Sequence, residues 1–156
     1  MTIKEKNSKP AQNTAWEDGI PIHYLYTYGV AGEKFFRGIM EKETFLATKC
    51  NACNVTYLPP RIYCEQCFAE LKDFADAGTT GEVHSYTVCY KDMSGKHLPK
   101  PKVLAYVKIN NTNGGIIHEL DLPADKVKIG LKVKAVFRDK ANRTGGINDI
   151  LCFKMV

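Results

Sequence analysis

Apolar positions along the chain change their period twice. Residues 1–22 are polar with no sustained apolar repeat, and the single tryptophan, Trp16, stands among Asp, Glu and Gly; this reads as a flexible arm carrying one docking residue. Tyr24, Leu25, Tyr26 and Tyr28 then form a stretch apolar enough to pack. From Gly32 to Glu43, Phe35, Phe36, Ile39 and Met40 fall on one helical face while Glu33, Lys34, Arg37, Glu41 and Lys42 turn to water, which predicts an amphipathic helix. Such a stripe either covers its own core or docks on a partner. Thr44–Thr48 is expected as a strand, and the run Ala69–Gly78 as a polar exit into β-patterned sequence. Five β segments follow, at Gly81–Tyr90, Val103–Ile109, Gly115–Leu120, Val133–Arg138 and Asn148–Met155, each rich in Val, Ile, Tyr or Phe and bounded by Gly, Pro, Asn or Asp. The alternation is clean in Val103, Ala105, Val107 and Ile109, with Lys108 on the other face.

Leu122–Gly130, between the third and fourth segments, has the composition of one short helical turn closed by a permissive glycine. Five antiparallel strands with a helical element at that place follow the order of an OB-fold barrel; the periodicity alone also admits a small sandwich. The expected organisation is mainly β: an arm over 1–22, a helical segment over 23–46, a ribbon over 47–77 and a five-stranded C-terminal barrel over 78–156.

The ribbon is where the chemistry lies. Cys50-Asn51-Ala52-Cys53 and Cys64-Glu65-Gln66-Cys67 are two C-x-x-C knuckles ten residues apart, and each gap of two lets its pair of thiolates point the same way. Four sulfurs make a closed tetrahedral site. Zn2+ is the first choice, and iron in a four-cysteine site fits the same ligands. With no position left for water or substrate, the ion holds structure and performs no hydrolysis. Residues 54–63 read as a β-excursion that turns at Pro59 and Pro60 and returns the second knuckle beneath the first.

Composition narrows the setting. Of 156 residues, 44% are hydrophobic and 25% charged, which suits one ordinary domain plus a small module. No run is long enough to cross a membrane, and Met1–Pro10 lacks the apolar segment of a secretory signal, so a cytoplasmic protein is expected. In that reducing setting the paired cysteines read as ligands, not disulfides. The net charge of +5 admits any anionic partner.

Catalysis by the chain itself is not expected. Cys89 and Cys152, outside the knuckles, sit in alternating strands and read as small buried hydrophobes; His84, His97 and His118 are scattered singly. Neither a Gly-x-Ser-x-Gly elbow nor a phosphate-binding glycine loop is present. Basic residues crowd two loops: Lys91, Lys96, His97, Lys100 and Lys102 around Pro99 and Pro101, and Arg138, Lys140 and Arg143 before Gly145-Gly146. They are either solvated loop tips or a phosphate-binding group.

Knuckle, Leu58-Pro59-Pro60-Arg61-Ile62-Tyr63, knuckle, then Gly81-Glu82-Val83-His84-Ser85-Tyr86-Thr87-Val88 and Lys128-Ile129-Gly130-Leu131-Lys132-Val133 form a specific combination. From about Phe35 to Val156 the chain resembles the small acyl-CoA-associated proteins that join a rubredoxin-like zinc ribbon to an OB-fold. The resemblance implies a partner of a larger enzyme acting on CoA thioesters: a thiolase, a hydroxymethylglutaryl-CoA synthase, an enoyl-CoA hydratase or an aldolase. It is nearest to small subunits of bacterial thiolases that cleave bulky 3-oxoacyl-CoA substrates such as benzoylsuccinyl-CoA. On that reading the acyl-CoA is substrate of a hetero-oligomer, Lys91, Lys96, Lys100, Lys102, Arg138, Lys140 and Arg143 face the CoA phosphates, and Phe35, Phe36, Ile39 and Met40 dock on the larger subunit. The competing class is a single-stranded nucleic-acid binder stacking bases on Tyr86, Tyr90 and Tyr106. The modest charge excess, not concentrated on one strand face, argues against nucleic acid.

Overall fold

The computed structural model describes residues 26–92 and 94–156; the arm over 1–22 with Trp16, and Tyr24 and Leu25, lie outside the described residues. Helix α1 spans Gly29–Lys42, starting three residues before the predicted face. It stops at Glu43, which turns left-handed at φ 53° and donates its backbone N–H to Gly38 O. Phe35 and Ile39 are 4% and 0% exposed, so the stripe covers the protein's own core. The expected docking role of these two residues is therefore corrected: their area is already buried.

Strands β1 (Leu46–Cys50), β2 (Val55–Tyr57) and β3 (Phe74–Asp76) form a three-stranded antiparallel sheet in the order β2-β1-β3. β3 lies inside the run expected to be a polar exit. Three residues, none fully buried, carry no alternation that would reveal a strand; it forms because Leu46, Ala47 and Thr48 offer it a partner.

Strands β4 (Thr80–Lys91), β5 (His97–Ile109), β6 (Gly115–Leu120), β7 (Lys132–Phe137) and β8 (Ile150–Met155) close into a barrel in the order β4-β5-β6-β8-β7. Closure removes the sandwich alternative. A single 3-10 turn, Ala124–Lys126, stands between β6 and β7 where a helical turn is expected. β5 begins at His97, six residues earlier than predicted, so Pro99, Lys100, Pro101 and Lys102 belong to a strand and not to a loop. The prolines fall where the β4–β5 register shifts, between Cys89↔Lys102 and Lys91↔His97, and there a missing N–H costs little.

Helix, ribbon and barrel share one core. Phe35 and Ile39 of α1, Phe45, Ala47 and Leu58 of the ribbon, and Val83, Val107, Val133 and Phe153 of the barrel form one buried cluster. Phe45 lies at its middle, with ring centroids 6.1 Å from Phe35, 5.7 Å from Phe137 and 6.4 Å from Phe153. The ribbon adds a second cluster of Cys50, Tyr57, Cys64 and Leu71. The two modules also touch through backbone: Asn113 N donates to Thr56 O at 2.6 Å, and a Cβ at Gly114 would stand 1.8 Å from Leu58 O. Glycine is required there for space, since any side chain would push the β5–β6 turn off the ribbon.

Candidate metal centre and basic loops

Each knuckle hangs from a different part of the ribbon. Cys50 ends β1, and the chain turns back through Asn54, left-handed at φ 53°, into β2. The second knuckle is pinned by Cys64 N donating to Ala69 O, Phe68 N to Cys64 O and Leu71 N to Ile62 O. The result brings the sulfurs of Cys50, Cys53, Cys64 and Cys67 within 4.8 Å of one another. Two opposite edges measure 3.6 Å (Cys50–Cys67) and 3.9 Å (Cys53–Cys64). A regular tetrahedron with Zn–S bonds of about 2.3 Å has edges of about 3.8 Å, so both number and spacing of the donors fit the ion.

The sulfurs are not equivalent. Cys50 and Cys64 are buried while Cys67 is exposed. Cys53 N lies 3.5 Å from Cys50 Sγ, Gln66 N lies 3.4 Å from Cys64 Sγ, and the buried Tyr57 hydroxyl lies 3.2 Å from Cys64 Sγ. That hydroxyl, followed by backbone N–H groups of Cys67 and Gln66, pulls the Cys64 thiol down to about 6. The same bond, with burial, pushes the Tyr57 phenol up to about 12, so it keeps its proton and donates. Cys53, hydrogen-bonded to Cys67 and desolvated, is pushed up to about 12. Binding of the ion would displace the remaining thiol protons of the cage to solvent.

The basic residues divide by what they touch. Lys91, Lys96 and Lys100 are exposed, with no ion pair among the described residues. Asp92 organises the turn between them, its carboxylate accepting from Ser94 N, Ser94 Oγ and Lys96 N at 2.7–2.9 Å. Lys102 is paired with Glu119 at 2.8 Å across β5 and β6. Arg138 Nε donates to Asn148 O at 2.6 Å, and Lys140 opens a 3-10 turn. Arg143 is a correction to the expected phosphate contact. Its side chain is 3% exposed and its guanidinium donates to Met40 O at 3.0 Å, to Arg138 O at 2.6 Å and to Glu43. It caps the carbonyl end of α1 and locks residues 138–149 against the helix.

Of the expected docking stripe, Phe36 and Met40 are half-buried; Phe36 packs on Tyr28 and Phe35 with centroids at 4.7 and 5.4 Å. On the ribbon Ile62, Tyr63 and Phe68 are left in water, the last 78% exposed; Val30 of α1 and Ile117 and Ile129 of the barrel are exposed as well. The sequence placed Ile62 and Tyr63 in the excursion between the knuckles and gave Phe68 no role, because isolated apolar residues in so short a loop carry no period that tells a buried side from an exposed one. Cys89 and Cys152 are half-buried, and among the described residues neither is hydrogen-bonded to a histidine or carboxylate. His118 is half-buried beside Phe153, its Nδ1 without a hydrogen-bond partner, and burial lowers its pKa. Tyr86 pairs with Ala105 and Tyr106 with Ser85, so these two tyrosines point to opposite faces of the sheet and form no common stacking platform.

Two family models match in tandem: the ChsH2 rubredoxin-like zinc ribbon domain over residues 41–73 and the ChsH2 C-terminal OB-fold domain over 75–138. The chain belongs to the ChsH2 zinc-ribbon and OB-fold family. Its four-cysteine ribbon is accordingly a structural Zn2+ site, which Cys50, Cys53, Cys64 and Cys67 would hold with no ligand position left open. The ChsH2-type barrel continues past the matched residues to β8. Two curated archaeal relatives are DUF35 domain-containing scaffold proteins. The one from Methanocaldococcus jannaschii is 27% identical over 108 residues, covering 66% of this chain and 74% of its own. The one from Methanothermobacter thermautotrophicus is 28% identical over 111 residues, covering 66% and 78%. A DUF35-family structure of unknown function from Sulfolobus solfataricus superposes with a TM-score of 0.63 at 28% identity, covering 82% of this chain and 85% of that one. A chain of the Ltp2-ChsH2(DUF35) aldolase superposes with a TM-score of 0.58 over 79% and 93%; at 23% identity this is likeness of fold. No described helix is long and apolar enough to cross a membrane.

Proposed function

We propose that this ChsH2-family chain is the non-catalytic small subunit of an enzyme acting on acyl-CoA thioesters, a thiolase that cleaves a 3-oxoacyl-CoA such as benzoylsuccinyl-CoA. The observation that carries it is the closed four-thiolate cage fused through Phe45, Ala47 and Leu58 to the barrel core, which builds a rigid scaffold with no open metal position. Lys91, Lys96, Lys100, Arg138 and Lys140 remain as the groups that meet CoA phosphates, Arg143 being engaged by the helix. Ile62, Tyr63 and Phe68 take over the docking role from the helix stripe.

The test is co-expression with candidate thiolase-type large subunits. Copurification, and turnover that requires both chains and consumes free CoA, is the expected result; turnover by the small chain alone sinks the proposal. Phe68→Asp should disrupt copurification. Charge reversal at Lys96 and Lys100 should raise KM for the CoA ester while the complex stays assembled. An aldolase partner is the second reading, favoured by the likeness to the ChsH2 chain of the Ltp2 aldolase. Free CoA separates the two, because thiolysis consumes it and retro-aldol cleavage does not.

A further inference from the structure

The ribbon's metal cage holds a side chain that the four-ligand description leaves out. Tyr57 closes β2, pairs across to Thr48 of β1, and is 1% exposed in the small cluster it forms with Cys50, Cys64 and Leu71. Its hydroxyl lies 3.2 Å from Cys64 Sγ. Among the described residues no other non-cysteine side chain donates to a cage sulfur; the other donors are backbone N–H groups, those of Cys53 and Gln66 at 3.5 and 3.4 Å among them. The ring is fixed as well as buried, since the Arg61 guanidinium sits 5.2 Å over its face and is itself paired with Glu65.

Four thiolates around Zn2+ carry two net negative charges, and half of this cage is buried. A buried anion needs donors aimed at it, and groups hydrogen-bonded to a ligand fix its orientation and moderate its basicity. We propose that Tyr57 is a positioning residue of the metal centre: its hydroxyl donates to Cys64 Sγ, holds that thiolate in the cage and slows loss of the ion. The hydroxyl draws electron density from Cys64, so the four sulfurs would not meet the ion as equal donors. Cys64 is buried and held by a phenol and backbone N–H, whereas Cys67 is exposed. This holds whichever enzyme the chain serves.

The test is Tyr57→Phe in the full chain, which keeps the ring and removes one oxygen. Zinc affinity, read by competition with a chromophoric chelator, should fall about 10–100-fold. In the Co2+-substituted protein the thiolate-to-metal charge-transfer band should move to longer wavelength, because a sulfur without its hydrogen bond gives up electrons more easily. Tyr63→Phe, an exposed tyrosine of the same ribbon, should change neither. Weaker affinity with an unmoved band would mean that the ring matters only by packing, and overturns the role of the hydroxyl; no change in either overturns the proposal outright. Should Tyr57→Phe fail to fold, the 113Cd-substituted wild-type chain decides. A slowly exchanging Tyr57 hydroxyl proton coupled to cadmium through Cys64 is expected, and its absence would reject the hydrogen bond.

Discussion

Asp149 is the most deeply buried acid described, 1% exposed, and it shows how one carboxylate shapes a loop. Oδ1 accepts from Thr144 N at 2.8 Å and Oδ2 from Gly145 N at 2.7 Å. Burial alone would push its pKa up, but the N–H groups of Thr144, Gly145 and Gly146 and the Thr144 hydroxyl outweigh it, and the carboxyl sits below its ordinary value. A depressed carboxyl stabilises the fold fully above the unfolded value of about 3.9 and loses that contribution as pH falls through the lower folded value. Asp149→Asn should therefore cost about 1–3 kcal/mol at neutral pH and flatten the acid limb of a stability–pH profile measured in denaturant. Arg143→Met should cost about 1.5–3 kcal/mol by the same assay, through the lost cap on α1. Neither residue was legible in sequence. Arg143 looks like a solvated loop charge, and its acceptor Met40 O is 103 residues away. The cage cysteines were legible because a C-x-x-C pair carries its geometry in four consecutive residues.

Elements were readable wherever one face is buried along enough residues. β6 matches its expected bounds, and β4, β7 and β8 lie within two residues of theirs, because Val, Ile and Phe alternate there with polar residues. β3 and the first half of β5 were not readable, since both are half or fully exposed and draw their order from a partner strand. The contact between the β5–β6 turn and the ribbon is likewise invisible until both are folded. Gly114→Ala places a methyl against Leu58 O, and the turn or the ribbon must give way. A loss of about 1–3 kcal/mol is expected, together with faster hydrogen exchange at Asn113 N, which now donates to Thr56 O.

At the scale of the molecule, the ribbon and barrel stand or fall together. Structural zinc contributes apparent free energies of about 10–16 kcal/mol in small peptides, and here the residues it orders include Phe45 and Leu58 of the common core. Chelation should therefore lower the melting temperature of the barrel as well as unfold the ribbon; a barrel transition indifferent to zinc would contradict the shared core. The same sharing bears on synthesis at the ribosome. Phe45 leaves the tunnel long before Phe153, yet the two meet at 6.4 Å, and β8 lies between β6 and β7, so the barrel closes only after residues 150–155 emerge. At about 5–20 residues per second, Phe45 waits on the order of 5–20 seconds for its last neighbour. All four cysteines are out well before then, so a nascent chain can load its ion while the barrel is still unfinished, and a translational pause after Cys67 would favour that order.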